Sequence, residues 1–253
     1  MVIGHRGLGK GVVDGHAENT QASFQAAVDL GVQWLETDVR ACGDGTLVLA
    51  HNPTTAEGRF FSELSFTEAS ADGLATLDEL LEWVPEGIGL NLEVKSALED
   101  AVKPRAQTTA GLFAARVAEI RREHRLLVTS FDPAALLIVR ERAPEVAIGL
   151  LGWVAYPLRK VIPAAAHLGF EAVIAHAAAF GPNSTDSAPF HREASWAIGI
   201  AHDAGLQVAA WCPGPDAAVQ LIEAGVDAVI VNEVPGVLGA LGARGAEVRA
   251  TGS

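Results

Sequence analysis

The chain has 253 residues, of which 49% are hydrophobic, and this composition excludes a disordered chain and suits one large α/β domain or two small ones. Its formal net charge of −13 argues against nucleic acid or an anionic membrane surface as the main partner. Cys42 and Cys212 are too few for a disulfide scaffold, and no apolar stretch reaches the roughly 18 residues that span a bilayer.

We therefore expect a protein with no integral membrane segment. The chain opens on the strand-like Met1-Val2-Ile3 with no basic segment before an apolar run, so we also expect it to be cytoplasmic. Because the overall charge is acidic, an anionic substrate would need local positive charge, from basic side chains or a bound cation, in order to bind.

Apolar segments typical of buried strands alternate with helical patterns along the chain. The predicted strands are Met1–Gly4, Trp34–Val39, Leu90–Val94, Leu126–Ser130, Val146–Leu150, Ala172–Ala175, Val208–Trp211 and Ala228–Val231. The clearest helical patterns between them are Gln21–Leu30, Gln107–His124, Pro133–Arg142 and Pro215–Ala224. Eight such β/α units predict a TIM (β/α)8 barrel, for which ~250 residues is typical. Glycines 31, 169, 205 and 225 each end a helical pattern just before a strand, but a doubly wound open sheet would show the same repeat.

One hairpin interrupts the alternation after the second strand. Gly43-Asp44-Gly45 is a turn signal, and the strand-like Thr46–Ala50 that follows runs back to His51. The segment 53–72 has weak periodicity and is interpreted as a loop. We predict a single domain over residues 1–241 with a small insertion at about 43–75, and a flexible tail at 242–253, where the residues are small and polar.

Charged side chains stand at the ends of the first three predicted strands, where a strand would otherwise be apolar. In a (β/α)8 barrel the carboxyl ends of the strands form the active-site mouth, and residues two apart on a strand share a face. Adjacent strands should therefore bring these groups within a few side-chain lengths of one another. The residues are His5, Arg6, Glu36, Asp38, Glu93 and Lys95.

Three carboxylates so close together need compensating charge. Two like charges 4 Å apart repel by ~4 kcal/mol at an effective dielectric constant near 20. One divalent cation, Mg²⁺ or Ca²⁺, would stabilise Glu36, Asp38 and Glu93, because both ions prefer carboxylate oxygens. The alternative is an ion-pair network with Arg6 and Lys95 that only orients the strand ends, and both interpretations stay open at this level.

His5 and His51 are the candidate acid and base, because the ordinary pKa of histidine lies near neutrality. His5 lies between a strand and Arg6, and the hairpin should return His51 to the second strand. The remaining histidines have no such neighbours and are interpreted as structural. Trp211 ends the seventh strand and could form an apolar wall for substrate or belong to the core at the rim.

The motifs of this chain, taken in order, resemble those of the glycerophosphodiester phosphodiesterase family, and the resemblance covers nearly the whole chain. Each motif is weak alone, and the ordered set is specific. It comprises Gly4-His5-Arg6-Gly7, Glu18-Asn19-Thr20, Glu36-Thr37-Asp38-Val39, Asp44-Gly45-Thr46 with His51, Leu92-Glu93-Val94-Lys95, Ser130-Phe131 and Gly225-Val226-Asp227.

The resemblance implies a TIM barrel that cleaves glycerophosphodiesters, small-molecule substrates, into glycerol 3-phosphate and an alcohol such as choline or ethanolamine. It implies that the three carboxylates hold Mg²⁺ or Ca²⁺ and that His5 and His51 act as general base and acid. It also implies that Arg6 and Lys95 hold the phosphate oxygens, to which a bidentate arginine is well suited. Glu18 would then pair with Arg6 and steer it.

Three departures from the family pattern lie around the predicted mouth. Members commonly have aspartate after the histidine where this chain has Asn52, and Trp-Thr-Val-Asn where it has Trp211-Cys212-Pro213-Gly214. The stretch between Gly7 and Glu18 is also long and rich in glycine. We expect these differences to affect which alcohol group the site accepts more than they affect the phosphodiester chemistry.

Other functions fit the same motifs. A lysophospholipase D-like or sphingomyelinase D-like enzyme on this scaffold would need an apolar groove or membrane-facing loops. A Schiff-base lyase would use Lys95 as its nucleophile, although neighbouring carboxylates should raise the pKa of that amine. A barrel that binds phosphate esters without catalysis is the remaining alternative, and the oligomeric state is left open.

Overall fold

The computed structural model describes residues 1–70, 73–154, 156–181, 184, 189 and 192–251, and for 245–251 only the helical backbone. Within these residues, eight parallel strands form the barrel. They are β1 (Val2–His5), β2 (Trp34–Ala41), β3 (Gly89–Val94), β4 (Arg125–Ser130), β5 (Ala147–Leu151), β6 (Ala172–His176), β7 (Gln207–Trp211) and β8 (Ala228–Val231). The sheet closes because β1 pairs with both β8 and β2, with Val2 opposite Val229 and His5 opposite Glu36. The predicted TIM barrel is confirmed.

Helices lie between the strands, and several begin at capping side chains. Thr20 caps the first helix by accepting a hydrogen bond from the Ser23 amide, and Asp132 caps the helix that starts at Pro133. The predicted helix at 107–124 is shorter, because Thr108 caps it and residues 105–107 form a 3₁₀ turn. The helices are α1 (Gln21–Asp29), α2 (Phe66–Ala69), α3 (Leu77–Trp83), α4 (Thr109–Ile120), α5 (Pro133–Arg142), α6 (Leu158–His167), α7 (Ala194–Asp203), α8 (Pro215–Glu223) and α9 (Val234–Thr251).

Two separate apolar cores position the site. The larger core lies between the barrel wall and the helices and includes Phe24, Leu35 and Phe113. The smaller core fills the barrel interior and includes Ile3, Ile174 and Ile230. Because alternate strand residues point inward, the interior changes from this apolar packing to buried polar side chains toward the carboxyl ends of β1, β2 and β3.

The hairpin after β2 is present. Its strand, Leu47–Leu49, pairs antiparallel with β2, and the Ala50 amide donates to the Asp38 carbonyl at 3.0 Å. The loop interpretation of 53–72 was wrong in part, because α2 lies there with a capping box between Ser65 and Glu68. That Ser-x-x-Glu pattern was available in the sequence. Residues 71 and 72 lie outside the described part.

A second short antiparallel pair, Val12–Val13 with His16–Ala17, lies in the glycine-rich stretch after β1. At the other end of the chain, the backbone of α9 is helical through Thr251, although the sequence predicts a flexible tail from residue 242. Residues 252 and 253 lie outside the described part. No helix among the described residues is long and apolar enough to cross a membrane.

Two glycines offer a test of the interior packing. A Cβ added at Gly89, the first residue of β3, would overlap the Trp34 indole ring, whereas a Cβ at Gly199 in α7 meets no neighbour within 4 Å. We expect Gly89→Ala to destabilise the fold by about 1–3 kcal/mol through overpacking. Gly199→Ala should stabilise it by about 0.5–1 kcal/mol, because alanine loses less backbone entropy in a helix. Urea unfolding of both variants checks the prediction, and equal effects of the same sign would contradict it.

Candidate active site

The carboxyl ends of the strands surround a cavity of about 530 Å³. Asp38 has no exposed surface and lies buried among the residues that line the cavity. The structure thus brings all eight predicted site residues to one mouth. The seven that line the cavity are His5, Arg6, Glu36, His51, Glu93, Lys95 and Trp211.

Three buried carboxylates form the centre of the site. Glu36 and Asp38 lie on β2, and Glu93 lies directly opposite Asp38 on the neighbouring β3. Each offers an oxygen within 4.8 Å of the other two. Asp38 Oδ1 has no hydrogen-bond partner although it is buried, since the Lys95 ammonium at 3.0 Å is outside hydrogen-bond geometry. A compact set of carboxylate oxygens with an unused buried acceptor fits a hard divalent cation.

Burial controls the protonation of this acidic cluster. It raises the pKa of Glu36 well above its ordinary value, and the Asp38 and Glu93 carboxylates raise that pKa further. Burial also raises the pKa of Glu93 to about 7, against the opposing effect of Lys95. For Asp38, burial alone would raise the pKa, but Lys95 and Arg6 outweigh it and hold the pKa below its ordinary value. Without a cation, Asp38 is therefore the most strongly ionised of the three.

Both predicted phosphate-binding cations contact carboxylates. Arg6 places Nη1 2.8 Å from Glu18 Oε1, as the sequence predicts, and Nε 3.1 Å from Asp38 Oδ2. Lys95 donates to Glu93 and also lies beside Asp38. Burial lowers the pKa of Lys95, but Glu93 and Asp38 outweigh it and raise this pKa above its ordinary value. A charged Lys95 argues against the Schiff-base alternative, which needs a neutral amine.

His5 is held in one tautomer. Its Nδ1–H donates to Asn232 Oδ1 at 2.6 Å, which leaves Nε2 as an acceptor, 3.7 Å from Glu36 Oε2. Burial first, and then the positive charge of Arg6, lower the pKa of His5 to about 4. His5 is therefore neutral at pH 7, with Nε2 unprotonated. Sequence reasoning missed Asn232, although its position directly after β8 at the mouth was a usable signal.

His51 lies across the mouth on the returning hairpin. Its Nδ1 bonds to Asn52 Oδ1 at 2.9 Å, so Nε2 is again left free. Burial lowers the pKa of His51, and the hydrogen bond to Asn52 opposes that effect. Asn52, one of the departures from the family pattern, therefore contacts a predicted catalytic side chain directly.

An aromatic wall completes the mouth. Trp211 donates from Nε1 to the Gly152 carbonyl at 3.1 Å and packs edge-on against Phe131 and His176. Phe131 in turn stacks on Trp153 with ring centroids 4.3 Å apart. Trp211 thus lines the cavity and also packs on the interior core, so the two sequence interpretations of this residue are compatible. Trp153 was not among the predicted site residues.

The fold and these side chains define a TIM-barrel protein whose mouth combines three carboxylates that could hold a metal ion, two histidines and basic side chains. Residues 5–235 match the model of the glycerophosphoryl diester phosphodiesterase family. The chain belongs to that family.

Similar proteins agree with this assignment. A glycerophosphodiester phosphodiesterase from Caldanaerobacter subterraneus subsp. tengcongensis is 31% identical over 169 residues, which cover 60% of this chain and 66% of that relative. The chain spans between 53% and 66% of the length of the curated relatives it matches.

Solved structures match over nearly the whole chain. An Oleispira antarctica phosphodiesterase in complex with the product sn-glycerol-3-phosphate has a TM-score of 0.73 at 25% identity, covering 95% of this chain and 96% of that one. A glycerophosphodiester phosphodiesterase from Parabacteroides distasonis has a TM-score of 0.77 at 22% identity, covering 96% and 97% of the two chains, and supports the fold alone.

The raised pKa of Glu93 predicts how stability depends on pH without a cation. Between pH about 4.5 and 7 the folded state keeps a proton on Glu93 that the unfolded state releases, so this contribution to stability is lost as the pH rises through that range. The loss is on the order of 3 kcal/mol, at 1.36 kcal/mol per pKa unit. Glu93→Gln should flatten the profile, measured by urea unfolding with a chelator present. The exposed Glu86→Gln is the matched control, and parallel profiles for wild type and Glu93→Gln would contradict the assignment.

Proposed function

We propose that this protein hydrolyses glycerophosphodiesters to glycerol 3-phosphate and an alcohol, with one divalent cation held by Glu36, Asp38 and Glu93. The observation that carries the proposal is that two neutral histidines and this buried carboxylate cluster border one cavity. Membership of the family supports it, and so does the product found in the Oleispira antarctica relative.

The two histidines would divide the proton transfers. His5 Nε2 accepts the proton of a glycerol hydroxyl, whose oxygen attacks phosphorus and forms a cyclic phosphate. His51, protonated on both ring nitrogens once the phosphate is bound, gives the Nε2 proton to the departing alcohol oxygen as the P–O bond breaks. Water then opens the cyclic phosphate, with the two histidines exchanging roles. The negative charge of the bound phosphate raises the pKa of His51, which opposes the effect of burial.

The charged residues would bind and orient the phosphate. When bound, the cation polarises a phosphoryl oxygen and stabilises the charge that develops on it. Asp38 and Glu93, which would hold the cation, are the same carboxylates that contact Arg6 and Lys95 in its absence. Both basic side chains have donors available for phosphate oxygens, and the forked guanidinium of Arg6 suits two of them. Cation binding and phosphate binding are therefore coupled through shared side chains.

One observation favours a second candidate, a lysophospholipid as substrate. Trp153 and Val154 lie on the rim of the cavity with 62% and 54% of their surfaces exposed. An alkyl chain leaving the mouth would cover them, whereas choline would not need them. The rate of choline release from glycerophosphocholine, compared with the rate of choline release from lysophosphatidylcholine, separates the two candidates.

Catalytic activity should depend on the cation, on its carboxylate ligands and on the predicted catalytic histidines. We expect release of glycerol 3-phosphate from glycerophosphocholine to stop with a chelator and to return with added Mg²⁺ or Ca²⁺. Glu36→Ala should abolish activity, because the cation loses a ligand, and His5→Ala should lower kcat by about 10²–10⁴-fold. The exposed His167→Ala is the control. Chelator-resistant hydrolysis, or an active Glu36→Ala, would overturn the metal assignment.

The roles of the two histidines can be separated by the leaving group. The p-nitrophenyl ester of glycerol 3-phosphate expels a stable anion and needs no general acid. We therefore expect His51→Ala to recover most of its rate with this ester, while His5→Ala stays impaired with both substrates. The ratio of kcat values for the ester and glycerophosphocholine is the measurement. Recovery of His5→Ala instead would reverse the assignment of acid and base.

A further inference from the structure

Arg40 is a further basic residue at the mouth, beside Arg6, Lys10 and Lys95. It lies on β2 two residues beyond Asp38, so its side chain shares the inward face of the acidic residues. It is partly buried and lines the cavity. In the described part of the chain, no carboxylate lies within 4.0 Å of its guanidinium, in contrast to Arg6 and Lys95.

The guanidinium of Arg40 binds the backbone of His51 instead. Its Nε and Nη2 both donate to the His51 carbonyl oxygen, at 3.1 Å and 2.7 Å. Burial lowers the pKa of Arg40, while Asp38 and Glu93 raise it through their charges. Removing part of the Arg40 guanidinium from water costs free energy, and a single carbonyl acceptor offsets only part of that cost. We therefore expect this contact to serve a specific purpose.

His51 needs such support because the regular hairpin ends before it. The last ladder pair is Val39 with Leu49, and the last strand-like bond is from the Ala50 amide to the Asp38 carbonyl. Beyond it the chain turns away at Asn52 and Pro53. Within the described ranges, the one hydrogen bond of the His51 ring is to the adjacent Asn52, which lies in the same loop. Arg40 therefore adds a side-chain link between the His51 carbonyl and the barrel wall, one residue beyond the bond from Ala50 to Asp38.

We propose that Arg40 is a positioning residue, which clamps the His51 carbonyl so that Nε2 stays in reach of the departing alcohol oxygen. The inference rests on the proposed function in giving His51 the role of general acid. Two donors on one planar group fix both the distance and the direction of the carbonyl, which a lysine ammonium does less well. A displacement of about 1 Å at a reacting group can lower the rate by about 10²-fold.

The test compares Arg40→Met and Arg40→Lys with saturating Mg²⁺ or Ca²⁺. With glycerophosphocholine we expect Arg40→Met to lower kcat by about 10–100-fold with little change in KM, and Arg40→Lys to lie between it and wild type. The defect should shrink with the p-nitrophenyl ester, as for His51→Ala. In a His51→Ala background, Arg40→Met should cause no further loss, because the two residues act as one unit.

Arg125→Met is the matched control. Arg125 also donates to a backbone carbonyl, that of Gly87 at 3.0 Å, but it lies at the amino-terminal end of β4, away from the mouth. We expect its kcat and its leaving-group ratio to equal those of wild type. Thermal unfolding of each variant separates loss of fold from loss of rate.

Several outcomes would overturn the inference. A raised KM with unchanged kcat would mean that Arg40 binds substrate directly, and additive losses in the double variant would mean that it does not act through His51. An equal defect with both leaving groups would also contradict it. If wild type does not cleave glycerophosphocholine, the proposed function fails, and a crystal structure of Arg40→Met then decides the clamp alone. His51 unmoved in that structure would refute the clamp.

Discussion

The structure depends on a buried cluster of like charges that two basic side chains compensate only in part. Asp38 has no exposed surface, and Arg6 and Lys95 both reach its carboxylate. Glu36 and Glu93 lie beside it, and Arg40 also interacts with Asp38 and Glu93 through its charge. The raised pKa values of Glu36 and Glu93 indicate that the cluster keeps protons, and its oxygens lie close enough together to hold a cation.

The barrel brings these charges together because neighbouring parallel strands place matched residues side by side. The backbone at the mouth adopts unusual conformations to do so. Arg6, Asn19 and Cys212 have φ values of 57°, 55° and 56°, in the left-handed region that non-glycine residues rarely occupy. Asn19 lies 3.4 Å from Asp38 Oδ2 through its amide nitrogen, and the Arg6 amide donates to Glu36. Backbone strain of about 1–3 kcal/mol per residue is typical of functional sites.

Much of this arrangement could be predicted from the sequence. The contacts that could not be predicted are those that only the tertiary fold brings together. The strand ends that carry Glu36, Asp38 and Glu93 follow from period and residue type, and α5 was predicted to the residue at Pro133–Arg142. The partner of His5 was missed, because Asn232 lies 227 residues away along the chain. The Arg40 clamp was missed for a related reason, since it depends on how a hairpin folds back over its own strand.

The sequence by itself determined the alternation of strands and helices, the chemical types at the strand ends and the family to which they belong. These follow from local periodicity, capping residues and ordered motifs. Only the tertiary structure decided that the sheet closes, that Arg6 and Lys95 contact carboxylates, and that Arg40 holds the His51 carbonyl. Those outcomes depend on pairings such as Val2 with Val229 and on competition among buried charges, which no local pattern of residues encodes.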